Sequence, residues 1–144
     1  RDNTRTPMVC DASPNGGFTT GTPWLPVKPP QAARHVAGQV GKLGSVLEHY
    51  RAMLAFRKGQ PALRAGRTRF LDLSDPVLAF TRGEGEGALL CLFNLSDQPR
   101  EIGVRGVGPA VGPSFGAGFQ ADRLTLPAHA TVFLPVLGKL SVTD

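Results

Sequence analysis

The strongest constraint on this chain lies in its first 31 residues, where Pro7, Pro14, Pro23, Pro26, Pro29 and Pro30 alternate with Gly16, Gly17 and Gly21. Proline removes a backbone donor and glycine loosens the backbone, so neither a helix nor a strand can run far there. An irregular stretch of this length exceeds an ordinary connector and points to a functional loop laid over another body. The opening string RDNTRTPM, with two arginines, an aspartate and a proline but no initiator methionine, is expected to be a cut through a longer protein.

One helix stands out after this loop. Ser45 followed by Glu48 has the S-x-x-E form of a capping box, in which the serine oxygen accepts the N3 amide and the glutamate returns to the cap amide. Val46, Leu47, Tyr50, Met53, Leu54 and Phe56 then recur near helical spacing, and Gly59 and Pro61 supply the stop. An amphipathic helix of this kind is marginal in water until its apolar stripe meets a tertiary surface. A weaker helical turn is expected in AARHVAGQV before it.

Beyond Pro61 the pattern changes to short alternating or β-branched runs, GRTRFLDL, PVLAFTRG, ALLCLFNLS, REIGVRG, ADRLTLP and ATVFLPV, separated by Gly, Pro, Asp and Ser. RGEGEGA reads as a hairpin turn; it lacks the Lys-Ser/Thr and helix that a phosphate-cradling loop needs. The expected fold class is mainly β, a small antiparallel β-sandwich that closes its own core.

Composition narrows the function. A net charge of +5 invites nucleic acid, but the arginines are scattered from Arg1 to Arg123 with no basic run interleaved with aromatics, so no nucleic-acid partner is expected. No apolar stretch approaches a membrane span, so no membrane partner is expected. No leader-like pattern is present, but with the true N-terminus expected upstream this says nothing about compartment, and a cytoplasmic location is a separate expectation. Cys10 and Cys91 lack metal or redox spacing, and Cys91 is expected to be a buried small hydrophobe. His35, His49 and His129 are far apart, so no metal and no cofactor are assigned.

The strings RDNTRTPM, DASPNGGFTTGTPWLPV, SVLEHYRAMLAFRKGQPAL and DPVLAFTRGEGEGALLCLFNLS, in this order, resemble the C-terminal part of α-glucosidases of glycoside hydrolase family 13, the α-amylase superfamily, in its oligo-1,6-glucosidase branch. The resemblance implies a truncated (β/α)8 barrel followed by a C-terminal β-sandwich, with residues 1–60 the barrel's last rim loop and helix and residues 61–144 the sandwich. It implies an α-glucoside oligosaccharide as substrate of the complete barrel. The family's nucleophilic Asp, acid/base Glu and second Asp have no matching motif in this chain, so no catalytic residue is assigned and the chain alone is expected to be inert.

Arg1 matches the motif arginine that reaches the hydroxyls of the innermost glucose; the competing reading is that it only holds the loop through Asp2 or another partner. Arg5 is expected to brace the loop. Cys10 stands where many relatives carry Trp, and if that ring packs the loop its loss would leave a cavity. Phe18 and Trp24 could stack on sugar, although anchoring of the loop is the commoner role. Two alternatives remain: a trehalose synthase or sucrose isomerase fragment, and a non-catalytic carbohydrate-binding or structural sandwich. The second would present aromatics on its strands, whereas Trp24 and Tyr50 precede them.

Overall fold

A computed structural model describes residues 4–114, 116–120 and 122–144. The chain resolves into two compact units, Arg1–Ala52 and Met53–Asp144, with the division inside a helix.

Among the described residues of the first unit, regular structure is confined to a tight turn at Pro14–Gly17, one short helix α1 (Pro29–Ala32) and the start of α2 (Val46–Gly59). The helical turn expected in AARHVAGQV is displaced: α1 begins on the Pro29–Pro30 pair, where proline is tolerated in the first turn, and residues after Ala32 form successive turns. At the start of α2, Ser45 Oγ accepts the Glu48 amide at 3.3 Å, as the capping box requires. The glutamate half of the box is not made. Glu48 Oε1 instead accepts the Gly41 amide at 2.9 Å and pairs with Arg51 at 2.8 Å, while Gln39 Oε1 takes the Leu47 amide at 3.2 Å. Ser45 and Gln39 thus serve two of the helix's orphan amides, which frees Glu48 for other work.

The second unit begins with the last part of α2 and a helix that strand patterning missed, α3 (Pro61–Ala65), with proline at its first position. Seven strands follow among the described residues: β1 (Thr68–Phe70), β2 (Val77–Arg82), β3 (Leu89–Asn94), β4 (Arg100–Val107), β5 (Gly118–Gln120), β6 (Arg123–Leu126) and β7 (Thr131–Thr143). All pairings are antiparallel, and RGEGEGA is the turn between β2 and β3, as expected. The order β1-β2-β3-β7-β4-β6-β5 hinges on the long strand β7. Its first part pairs with β3, Leu89 opposite Pro135, and its later part with β4, Val104 opposite Val142. A bulge between Arg105 and Val107 accommodates the change, and Gly106 sits there at φ 79°, where a Cβ would run into the Lys139 carbonyl.

The two halves of this sheet enclose one core. Val77 and Ala79, Leu90 and Leu92, Ile102 and Val104, Leu124 and Leu126, and Val132 and Leu134 each lie two apart on their strands and point into one buried cluster. Alternation in the sequence is therefore alternation across the pleat. The β2-β3-β7 sheet is apolar on its other face too, where Leu89, Cys91 and Phe133 pack with Ala62 and the half-buried Met53, Phe56, Phe80 and Phe93. Phe56 meets Phe133 at a ring separation of 5.0 Å, and Phe80 stacks on Phe93 at 5.6 Å. The helix stripe is thus divided. Met53 and Phe56 find a surface, while Val46, Tyr50 and Leu54 are exposed at 75%, 63% and 53%.

Polar residues bind the unit together. Asn94, buried, donates from Nδ2 to the carbonyls of Gln98, Leu126 and Pro127 at 2.7, 3.2 and 2.9 Å, and its Oδ1 accepts from Ser96. Arg82 donates to the carbonyls of Ala62 and Leu63 and to Thr68 Oγ1, closing the C-terminal end of α3 against β2.

Candidate functional site

The candidate site is the loop of the first unit, because it carries the residues singled out for substrate contact. Arg1 and Asp2, the substrate-binding candidate and its possible partner, lie outside the described residues. The described part is ordered by its own bonds. Val9, buried, offers its carbonyl to the Val36 amide at 3.0 Å, and Cys10 offers its carbonyl to Ala37 at 2.8 Å. The Cys10 and Asp11 amides converge on the Gly16 carbonyl at 2.8 and 3.2 Å. Asn15, Gly16 and Gly17 all have positive φ, of 55°, 65° and 67°. At Gly16 a Cβ would lie 2.8 Å from Val9 Cγ1, and at Gly17 one would lie 2.6 Å from the Asp11 carboxylate, so only glycine fits both places.

Asp11 is committed to this turn. Its Oδ1 accepts both the amide and the hydroxyl of Ser13, and these bonds, the hydroxyl first, hold its carboxyl below the ordinary 3.8. Beside it a concavity of about 450 Å³ is lined by Asp11, Ser13, Asn15, Thr22, Pro23 and Val27 among others. Asp11 is the only carboxylate among the described lining residues. Retaining glycoside hydrolysis needs two carboxyl groups flanking the scissile bond, so this concavity offers polar contact and not a catalytic pair.

The other carboxylates with assigned partners are spent on the surface. Asp122 pairs with Arg105 at 2.9 Å and Glu101 with Arg123 at 3.0 Å, both exposed, and Asp144 accepts the amide and hydroxyl of Ser74. Exposed pairs of this kind are weak and screened by salt. Among the described residues no group of three His, Cys, Asp or Glu side chains could hold a metal ion. His35 Nδ1 is occupied in accepting the Gly38 amide at 2.9 Å.

Cys91 is fully buried, and that burial pushes its thiol from 9.0 up to about 12, which leaves it inert. Cys10 is an exposed thiol outside any disulfide. Arg5 is exposed. Phe18 and Trp24, weighed for sugar stacking or loop anchoring, are exposed at 56% and 80%. No helix among the described residues is long and apolar enough to cross a membrane.

Two loop organisers escaped the sequence reading. Gln31 donates to Thr6 Oγ1 at 2.6 Å and accepts the Lys28 amide at 3.0 Å, and Gln39 links the Arg34 carbonyl to the start of α2. Bonds between side chain and backbone leave no periodic trace. Glutamine three residues after a helix cap was the one signal available for Gln31.

Residues 1–66 match the family described as alpha amylase, catalytic domain. The chain is 41% identical over 135 residues to a probable α-glucosidase of Rhizobium meliloti, covering 92% of this chain and 24% of that protein. It is 36% identical over 106 residues to a glucan 1,6-α-glucosidase of Streptococcus pneumoniae, covering 74% of this chain and 20% of that protein. Among solved structures, the α-glucosyl transfer enzyme XgtA superposes with a TM-score of 0.80 at 38% identity over 93% of this chain and 26% of its own. The trehalulose synthase MutB of Pseudomonas mesoacidophila superposes with a TM-score of 0.76 at 30% identity, covering 97% of this chain and 26% of its own. The chain thus spans about a quarter of the length of these relatives.

Proposed function

The chain belongs to the α-amylase family, and from that premise we propose that it is the C-terminal part of a retaining α-glucosidase that releases glucose from the non-reducing end of short α-glucosides. The observation that carries this reading is the 41% identity to a probable α-glucosidase over nearly the whole of this chain. Residues 1–60 are assigned to the catalytic barrel as its last rim loop and helix, and residues 61–144 to the C-terminal sandwich. The match of residues 1–66 to the catalytic-domain family and the self-contained core of the second unit support that division.

In the complete protein the two reacting carboxyl groups would come from barrel segments outside this sequence. The part assigned to this chain is positioning: Arg1 at the pocket rim would present its planar fork of donors to the hydroxyls of the innermost glucose. Assay of this chain with an aryl α-glucoside is expected to give no turnover; turnover that survives stringent purification sinks the reading. In the complete enzyme Arg1→Ala is expected to lower kcat/KM by about 100-fold, with Arg1→Lys recovering only part, because a point charge does not replace a fork. An unchanged kcat/KM would reduce Arg1 to a loop brace.

Glucosyl transfer or isomerisation is the second reading, favoured by the structural likeness to XgtA and to MutB. Product analysis of the complete enzyme on maltose and on sucrose separates the two: free glucose supports hydrolysis, and isomeric disaccharides or glucosylated acceptors support transfer.

A further inference from the structure

Asn15 is the only asparagine of this chain that is followed by glycine; Asn3 precedes Thr4 and Asn94 precedes Leu95. An Asn-Gly pair is chemically predisposed to self-modification, because glycine puts no side chain in the way of its own amide nitrogen. That nitrogen attacks the asparagine Cγ, its proton and the side-chain nitrogen depart as ammonia, and a five-membered imide remains. Water then opens one of the two imide carbon–nitrogen bonds, leaving aspartate or isoaspartate at position 15.

The folded loop opposes each part of this step. Ring closure brings the Gly16 nitrogen to the Cβ side of the Asn15 Cα–C bond, but Asn15 is held at φ 55° and ψ 22°, which places that nitrogen away from Cβ. The Gly16 amide is engaged in donating to the Ser13 carbonyl at 2.9 Å. The Asn15 side chain is held as well, Nδ2 donating to the carbonyls of Gly21 at 2.9 Å and Thr19 at 3.3 Å. Gly16 is also buried, against Val9. Rotation into the reactive geometry must therefore break bonds that close the turn.

The same contacts make the reaction one-way for the loop. Where hydrolysis leaves aspartate, the group facing Thr19 and Gly21 is a carboxylate, which has no donor and repels both carbonyls. An isoaspartate would in addition lengthen the backbone between Asp11 and Gly16, where two amides share one carbonyl. We propose that Asn15–Gly16 is a latent deamidation site, gated by the closed state of this loop, whose product cannot rebuild the turn. Any chain whose loop opens for long enough is thereby marked and kept open.

The test is peptide mapping by mass spectrometry of the intact 144-residue chain, incubated at mildly alkaline pH with and without denaturant. Deamidation is expected at Asn15 in the denatured chain, and about tenfold slower in native buffer, as local protection of a surface loop would give. A denatured rate less than about threefold above the native rate, or no reaction in the denatured chain, overturns the gate or the site respectively. Amide exchange of Asn15→Asp addresses the second half. Exchange at Cys10, Gly16 and Phe18 should quicken while the sandwich strands keep their protection, and unchanged exchange in the loop overturns the claim that the product cannot rebuild the turn.

Discussion

The two units make opposite use of apolar residues. In Met53–Asp144 alternation sends Leu90, Leu92, Ile102, Val104, Leu124, Leu126 and Leu134 into one interior, and each is at most 1% exposed. In Arg1–Ala52 the only described apolar residues that reach burial are Pro7 and Val9, while Trp24, Leu43 and Val46 face outward. Backbone and side-chain hydrogen bonds, not a core, give the first unit its shape. Hydrogen bonds exposed to water contribute little net stability and open readily, whereas a packed core opens only with the whole unit. One unit holds a conformation, and the other holds a fold.

This contrast should be largest in amide exchange. Amides in β3, β4 and the first part of β7 are expected to outlast those of the loop by about a thousandfold or more; uniform protection would break the comparison. Substitutions give the next largest effect. Leu92→Ala should cost about 3 kcal/mol in chemical denaturation through the cavity it leaves, while Leu54→Ala on the exposed part of the helix stripe should stay within about 0.5 kcal/mol. Similar costs would mean that the helix stripe is more fully packed than its exposure indicates.

Asn94→Ala should cost about 2 kcal/mol, since it strands the carbonyls of Gln98, Leu126 and Pro127 together. A cost near zero would show that water takes over the asparagine's role. A further effect is a slope confined to alkaline pH. The Cys91 thiol is neutral when protonated, and its folded pKa of about 12 lies above the ordinary 9.0. Its favourable contribution is therefore complete below pH 9.0 and is lost as pH rises toward about 12, at up to about 1.4 kcal/mol per pH unit. Comparison with Cys91→Ala isolates this slope from other groups titrating there; equal slopes in both chains would contradict the burial argument.

Much of the second unit was legible because its physics is local. Val77 and Ala79 or Leu90 and Leu92, two apart between glycine and aspartate turns, can satisfy a sheet and little else. The end of β7 was hidden because Gly138 and Lys139 interrupt alternation opposite the bulge at Gly106. The three-residue β5 is too short to carry a period, and α3 was hidden because Pro61 was read as the stop of one helix and not as the first residue of another. The stripe of α2 was visible, but periodicity reports that a face is apolar and not which part of it finds a partner. In the loop, Asp11, Asn15 and Gln31 act through single bonds to backbone, and a composition rich in proline and glycine announces irregularity without describing it. Arg1 entered through resemblance alone.

The central claim is that this sequence is part of a longer enzyme, with a self-sufficient sandwich attached to a piece of catalytic domain. The most direct measurement is the mass of the native polypeptide in its source cells, detected with an antibody raised against residues 61–144. The account predicts a band several times heavier than the 15.2 kDa of this chain. A single band at 15.2 kDa would contradict it.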